Sequence, residues 1–305
     1  MRIGVISGVT AGEDGSIDGV VRQAQACEAA GFATFWLPNI FGLDAITTLA
    51  LVGRETKRIE LGTAVVPTYP RHPIAMAQQA LTAGAAASGR FTLGLGLSHK
   101  IVIEDLMGMS YAAPVRHMRE YLTVLQELLA GRPAKFDGQE YRVNLGLQVP
   151  GAKRVPVLVA ALGEQMLRVC GRLADGTILW MTGPKTIESH VTKTLFAAAK
   201  EAGRPQPRIV ANLPIALTND AAGARAFVAK NFAIYGSLPS YRAMLDREGA
   251  AGPADVTLAG DEKTLDRELA RLESLGVSDF SGAIAAVDAE TGQRTLAYLA
   301  SRARR

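Results

Sequence analysis

The sequence predicts an α/β chain folded as one (β/α)8 TIM barrel spanning residues 1–305. Three observations lead there. Short apolar runs rich in β-branched residues alternate with helix-patterned stretches, and eight strand–helix units can be traced from end to end. No composition break or linker divides the 305 residues, a length that suits one barrel of ~250 residues with insertions. The run beginning at Phe91 is continuously apolar after a helix, as a parallel strand buried on both faces is. A doubly wound open sheet with a cap is the rival arrangement.

Arg2 to Ser7 reads as the first strand, with Ile3, Val5 and Ile6 supplying β-branched residues. After a polar loop, Gly8 to Gly15, Ser16 is placed to cap a helix that runs to about Ala30 and stops at Gly31. Phe32 to Leu37 is the second strand, leaving through Pro38-Asn39-Ile40-Phe41-Gly42 to a helix over Asp44 to Thr56. Ile59 to Val66 is the third, ended by Pro67. Pro73 suits the first turn of the Ala-rich helix leading to strand four. Lys100 to Ala113 reads as irregular and Val115 to Ala130 as helix. Gly131 to Arg154 is a Gly/Pro-rich excursion with a hairpin around Asp137-Gly138. The alternation resumes with strand Val155 to Ala160, helix Glu164 to Leu173, strand Thr177 to Met181 and helix Lys185 to Ala202. Ile209 to Leu217 is strand seven. Helical patterns over Ala221 to Tyr235 and Thr264 to Ser274 follow, with irregular chain between them. Ser281 to Val287 is strand eight, and Thr291 to Arg302 the closing helix. The insertions follow strands four and seven, on the side where such barrels carry their active sites.

The chain is 48% hydrophobic and 20% charged, a globular balance with ample material for a core. Its net charge of +4 owes part to Arg302, Arg304 and Arg305, and no basic run is interleaved with aromatics, which argues against a nucleic-acid partner. A mildly basic pocket for an anionic small molecule stays open. Cys27 and Cys170 lie far apart within helix-like patterns, as buried thiols in a reducing compartment do. The first residues lack the long apolar region of a signal peptide, and no stretch approaches the ~20 apolar residues of a membrane span. A cytoplasmic protein without a membrane partner, acting on a small molecule, is expected.

Gly94 and Gly96 interrupt strand four, and glycine there marks either a close approach to the backbone or barrel packing. Ser98 and His99 follow at once, at the strand end where α/β folds bind ligands. Gly94-Leu-Gly96-Leu-Ser-His99 lacks the third glycine and the helix of a dinucleotide fingerprint. Val155-Pro-Val-Leu-Val-Ala160-Ala161-Leu-Gly163 runs straight into a helix, whose first N–H groups can hold a phosphate or merely form an ordinary turn. Thr182 and Gly183 leave the neighbouring strand in the same anion-friendly manner. His72, His99, His117 and His190 show no metal-ligand spacing. His117 and His190 sit on helices as surface or packing residues, and only His99 is placed to meet a substrate. Serine-hydrolase, zincin and P-loop motifs are absent from the sequence.

Four stretches carry a resemblance: Leu61 to Pro73, Gly89 to Gly96, Pro156 to Gly163 and Ala174 to Gly183. Through them the whole chain resembles the luciferase-like monooxygenase superfamily, in its branch that uses the deazaflavin coenzyme F420. The resemblance implies a non-proline cis peptide at Ala64–Val65 behind the deazaflavin ring, with Thr63 beside it. It implies a tail-phosphate site on the backbone of Ala160, Ala161, Leu162 and Gly163, with Met181, Thr182 and Gly183 adjacent. Asn39 and Gly96-Leu97-Ser98-His99 would face ring and substrate, with His99 and Asn39 as the catalytic candidates and His99, solvent or the coenzyme's own hydroxyl as proton donor. A homodimer is implied as well. The best-known sugar-phosphate dehydrogenase of this group has an Asp-His pair where Asn39-Ile40 stand and a Glu near His99, so sugar-phosphate oxidation is not expected. Hydride transfer between F420 and an unidentified organic substrate is the expected activity. An FMN-dependent monooxygenase and a non-catalytic deazaflavin-binding protein are the other readings of the same scaffold.

Overall fold

The computed structural model describes residues 1–8 and 14–304. The loop expected over Gly8 to Gly15 lies mostly outside the described residues. The chain opens with β1 (Arg2–Ile6), α1 (Ile17–Ala30), β2 (Thr34–Leu37), α2 (Ala45–Glu55) and β3 (Glu60–Thr63), which breaks and continues as β4 (Val66–Pro67). Then come α3 (Pro73–Ala86), β5 (Phe91–Gly96), α4 (Pro114–Leu129), the antiparallel hairpin β6 (Ala134–Asp137) and β7 (Arg142–Leu145), β8 (Val157–Val159), α5 (Glu164–Leu173) and β9 (Gly176–Trp180). A continuous helical stretch follows, made of α6 (Pro184–Thr186), a π-helical segment (Ile187–Thr192) and α7 (Lys193–Glu201). The last third holds β10 (Arg208–Leu217), α8 (Ala221–Asn231), α9 (Pro239–Glu248), β11 (Leu258–Gly260), α10 (Glu262–Ser274), β12 (Asp279–Ile284) and α11 (Ala289–Ala303).

Parallel pairing runs β1, β2, β3, β5, β8, β9, β10, β12 and returns to β1, so the sheet closes into the expected eight-stranded barrel. β10 is the long strand. Its first half pairs with β9 (Arg208↔Gly176) and its last residues with the short outlying β11 (Ile215↔Leu258). Helix starts follow local chemistry. Ser16 Oγ accepts the N–H of Gly19 at 3.0 Å and Asp44 Oδ1 that of Thr47 at 2.9 Å, while Gly31 ends α1 with φ 94°.

Inside the barrel Ile6, Trp36, Leu158, Ile178, Val210 and Ala283 pack together; the larger apolar layer lies between strands and helices. The end formed by the strand beginnings is closed by charge. Arg208 donates to both oxygens of Asp279 (2.8 and 2.7 Å) and to Glu60 (2.7 Å), and Arg2 also donates to Glu60 (2.7 Å). The opposite end is left for the site.

Four boundaries differ from expectation. Strand three stops at Thr63. Lys100 to Ala113 contains a π-helical turn, Val102–Leu106. Strand eight begins at Asp279, because an acid that reads as loop is buried beneath Arg208. The chain between α8 and α10 contains α9 and β11; of α9 only Met244 and Leu245 are buried, which leaves little apolar periodicity to read. No helix of the described residues is long and apolar enough to cross a membrane.

Candidate active site

A cavity of about 550 Å³ opens at the strand ends, between the loops that follow β2, β5 and β10. Its floor is set by a bulge. β3 pairs with β5 as Gly62↔Thr92, and pairing resumes as Val66↔Leu95, so a step of four residues on one side meets a step of three on the other. The extra residue falls at Thr63-Ala64-Val65, and the Ala64–Val65 peptide is cis, at the bond the resemblance named. A Cβ on Gly94 would collide with the carbonyl oxygen of Thr63, and one on Gly96 would lie 2.6 Å from Val65 Cγ2. The close approach that the two glycines signalled is therefore that of the bulge itself. Ala64, Val65, Gly96 and Ala160 pave the floor with small side chains and main chain, above Ile6 and Ile178.

The walls are Trp180 on β9, Asn212 on β10, Tyr111 after β5, and Tyr235 and Tyr241 in the segment after α8. Asn212 donates from Nδ2 to the carbonyl of Leu179 (2.9 Å), while its Oδ1 is buried without a hydrogen-bond partner. Arg71 also lines the cavity, but its guanidinium is paired with Asp44. Among the described residues the cavity thus carries one guanidinium, already matched, and not a basic lining.

Ten of the residues singled out in the sequence line this cavity: Asn39, Ala64, Val65, Gly96, Leu97, Ser98, His99, Ala160, Leu162 and Gly163. Asn39 Oδ1 accepts the N–H of Ala45 at 3.0 Å, so its oxygen is committed to the start of α2. Ser98 has φ 62°, which turns the chain sharply out of β5. The ring of His99 sits 5.9 Å from that of Tyr241, and burial pushes its pKa below the ordinary histidine value. Burial thus works against the protonated ring that a donor role would use.

The other five lie elsewhere. Thr63 is buried and spends its hydroxyl on Gly94. Ala161 and Met181 face the core. Thr182 is buried, its hydroxyl 3.3 Å from the carbonyl of Trp180. At Gly183 the anion-friendly helix start is filled from within: the carboxylate of Glu248 accepts the N–H groups of Lys185 (3.1 Å) and Thr186 (2.8 Å). The start of α5 is different. No side chain caps it, and nothing lies within 4 Å of where a Gly163 side chain would be.

The remaining histidines are structural. His190 is buried on its helix and hydrogen-bonds the carbonyl of Leu162 at 2.8 Å, propping the loop before α5. His117 is buried between Thr68 (2.8 Å) and Tyr141 (3.2 Å). His72 Nδ1 accepts the N–H of Ile74 at the start of α3. Sequence reasoning missed Tyr111, Trp180, Asn212, Tyr235 and Tyr241. Asn212 had a usable signal, a lone amide in an otherwise apolar strand; Tyr241 lies on the helix that was not foreseen.

The sequence pattern of the luciferase-like monooxygenase family matches residues 1–301. A 5,10-methylenetetrahydromethanopterin reductase of Methanolobus tindarius is 28% identical over 246 residues, covering 79% of this chain and 74% of the relative. A protein of Mycobacterium tuberculosis described as a putative coenzyme F420-dependent oxidoreductase is 28% identical over 227 residues, 69% of this chain and 65% of its own. Among solved structures, an F420-dependent secondary alcohol dehydrogenase in complex with an F420–acetone adduct superposes with a TM-score of 0.81. That match has 17% identity over 100% of this chain and 99% of the other.

Proposed function

The chain belongs to the luciferase-like monooxygenase family and is an oxidoreductase; from that premise we propose that it uses coenzyme F420 to exchange hydride with a small organic substrate. The observation that carries the proposal is the cavity floor. Ala64, Val65, Gly96 and Ala160 offer a bed without bulky side chains, and the floor runs to the uncapped start of α5 at Gly163. A planar ring system with an anionic tail fits both features, since free N–H groups and the helix dipole favour a phosphate. The buried, partnerless Oδ1 of Asn212 is an acceptor available to a ring N–H. The coenzyme, when bound, supplies or takes up the hydride.

The protein's own part is to hold, orient and keep water away. His190 fixes the carbonyl of Leu162 and so the loop before α5. Tyr111, Trp180, Tyr235 and Tyr241 wall the site with aromatic rings. His99, whose pKa burial lowers, lines the cavity as an acceptor for the proton of a substrate hydroxyl. The mycobacterial relative's description supports the choice of F420. Titration of the purified protein with oxidised F420 and, separately, FMN tests it by absorbance: saturable binding of F420 without FMN is expected, and the reverse overturns the reading. A protein that binds reduced F420 tightly yet exchanges hydride with no alcohol, ketone or enone of a broad panel would be a binding protein instead. A homodimer belongs to the same proposal and is tested by light scattering.

A further inference from the structure

We propose that the outer half of the cavity takes an uncharged, apolar substrate, and that Phe41, Met107 and Ile234 set this preference. The proposal rests on the coenzyme reading for the inner half. Burial divides the site by depth. The floor is main chain and small residues, Gly96 buried and Ala64, Val65 and Ala160 partly so, whereas the rim carries Ile40, Phe41, Met107 and Ile234 at 58%, 72%, 37% and 62% exposure. Single exposed apolar side chains need no explanation. Here, however, three separate segments, after β2, after β5 and after α8, each bring a large one to the same opening. Such convergence marks a surface that is covered when the site is in use.

Charge points the same way. Among the described residues no carboxylate lines the cavity, and the one guanidinium there, Arg71, is paired with Asp44, whose Oδ1 is in turn engaged by Thr47. Leu97, Val102, Leu162 and Leu238 also line the cavity, and its remaining polar groups are uncharged ones, among them Ser98, Ser240, Asn39 and the tyrosine hydroxyls, beside His99. A phosphate or carboxylate on the substrate would shed its water there and find no free counter-charge. One carbonyl or hydroxyl on a hydrocarbon frame can be satisfied by the groups present.

A matched pair of probes tests this: 4-phenylbut-3-en-2-one and the same enone bearing a ring 4-carboxylate. Each is titrated into the F420-loaded protein, following the absorbance of bound coenzyme, and into the coenzyme-free protein by calorimetry. The neutral enone is expected to bind at least ~10-fold more tightly in both settings, and Phe41→Ser or Ile234→Lys to cut that advantage several-fold. Both positions are exposed, so thermal melting should show the variants folded. Equal or tighter binding of the carboxylate, or an advantage unmoved in folded variants, overturns the proposal. Failure of the coenzyme to bind at all strikes the earlier reading alone, because the coenzyme-free arm still decides this one.

Discussion

Thr63 and Gly94 are joined twice through one hydroxyl: Oγ1 donates to the Gly94 carbonyl and accepts its N–H, each at 2.8 Å. The side chain thereby replaces the ladder bonds that the bulge removes between β3 and β5. Valine would keep the shape and strand both peptide groups of Gly94 in a site sealed from water. Thr63→Val should cost about 2–3 kcal/mol in urea unfolding, with Thr63→Ser recovering most of it. Because the bulge carries Ala64 and Val65, the valine variant should also bind F420 more weakly than wild type in the absorbance titration.

The pair shows where sequence reasoning reached and where it stopped. That something approaches the backbone at Gly94 and Gly96 was legible, since only glycine tolerates such contact. What approaches was not, for it comes from strand three. Local signals served well: Ser16, Pro73 and Gly31 act within one turn of themselves, so their roles follow from neighbours in the chain. Distant partners left no local trace. The start of α6 looked ready for an anion until Glu248, 63 residues beyond Lys185, proved to fill it. Asp279 read as loop because its reason for being buried, Arg208, lies on another strand. Of the candidate site, the strand ends were foreseen and the aromatic walls largely were not, since those come from insertions without a regular pattern.

His117 makes stability depend on acidity. Its ring stacks on Tyr69 at 4.0 Å and hydrogen-bonds Thr68 and Tyr141; burial pushes its pKa down to about 4, against the pull of Glu140 and Glu120. Between pH 6.5 and about 4 the unfolded chain takes up a proton that the folded chain refuses. Stability is therefore complete above 6.5 and falls as the pH drops through that interval, by about 3 kcal/mol from this group. His117→Gln should flatten most of this limb of a urea-unfolding series, leaving the part due to His99, whose pKa burial also lowers, and the carboxylate-driven loss at lower pH.

The charged closure at the strand beginnings predicts an asymmetry between breaking and replacing it. The Asp279 side chain is 1% exposed and the Arg208 side chain 19% exposed. Arg208→Met leaves Asp279 and Glu60 facing one another with only the peripheral Arg2, and should cost about 3–5 kcal/mol in denaturant unfolding. Adding Asp279→Leu removes the stranded charge, so the double variant should be more stable than the single. A double variant as unstable as the sum of its parts would show that packing, not charge, holds this end of the barrel.

Glu248 ties the last wall of the cavity to the barrel. Its carboxylate holds the first N–H groups of the α6–α7 stretch, and Thr186 Oγ1 donates back to the carbonyl of Met244 at 3.1 Å, so both ends of one clasp join α9 to that helix start. α9 carries Ser240 and Tyr241 into the cavity, and little else anchors it, since only Met244 and Leu245 are buried along its length. Removing the carboxylate should loosen the wall while the barrel stays intact. Glu248→Ala is expected to cost about 1 kcal/mol overall, the usual loss for a helix cap, and Glu248→Gln roughly half of that. Amide exchange should quicken over residues 239–248 and stay unchanged in β1 to β3. Uniform quickening across the barrel would instead assign Glu248 to global stability and remove its part in shaping the site.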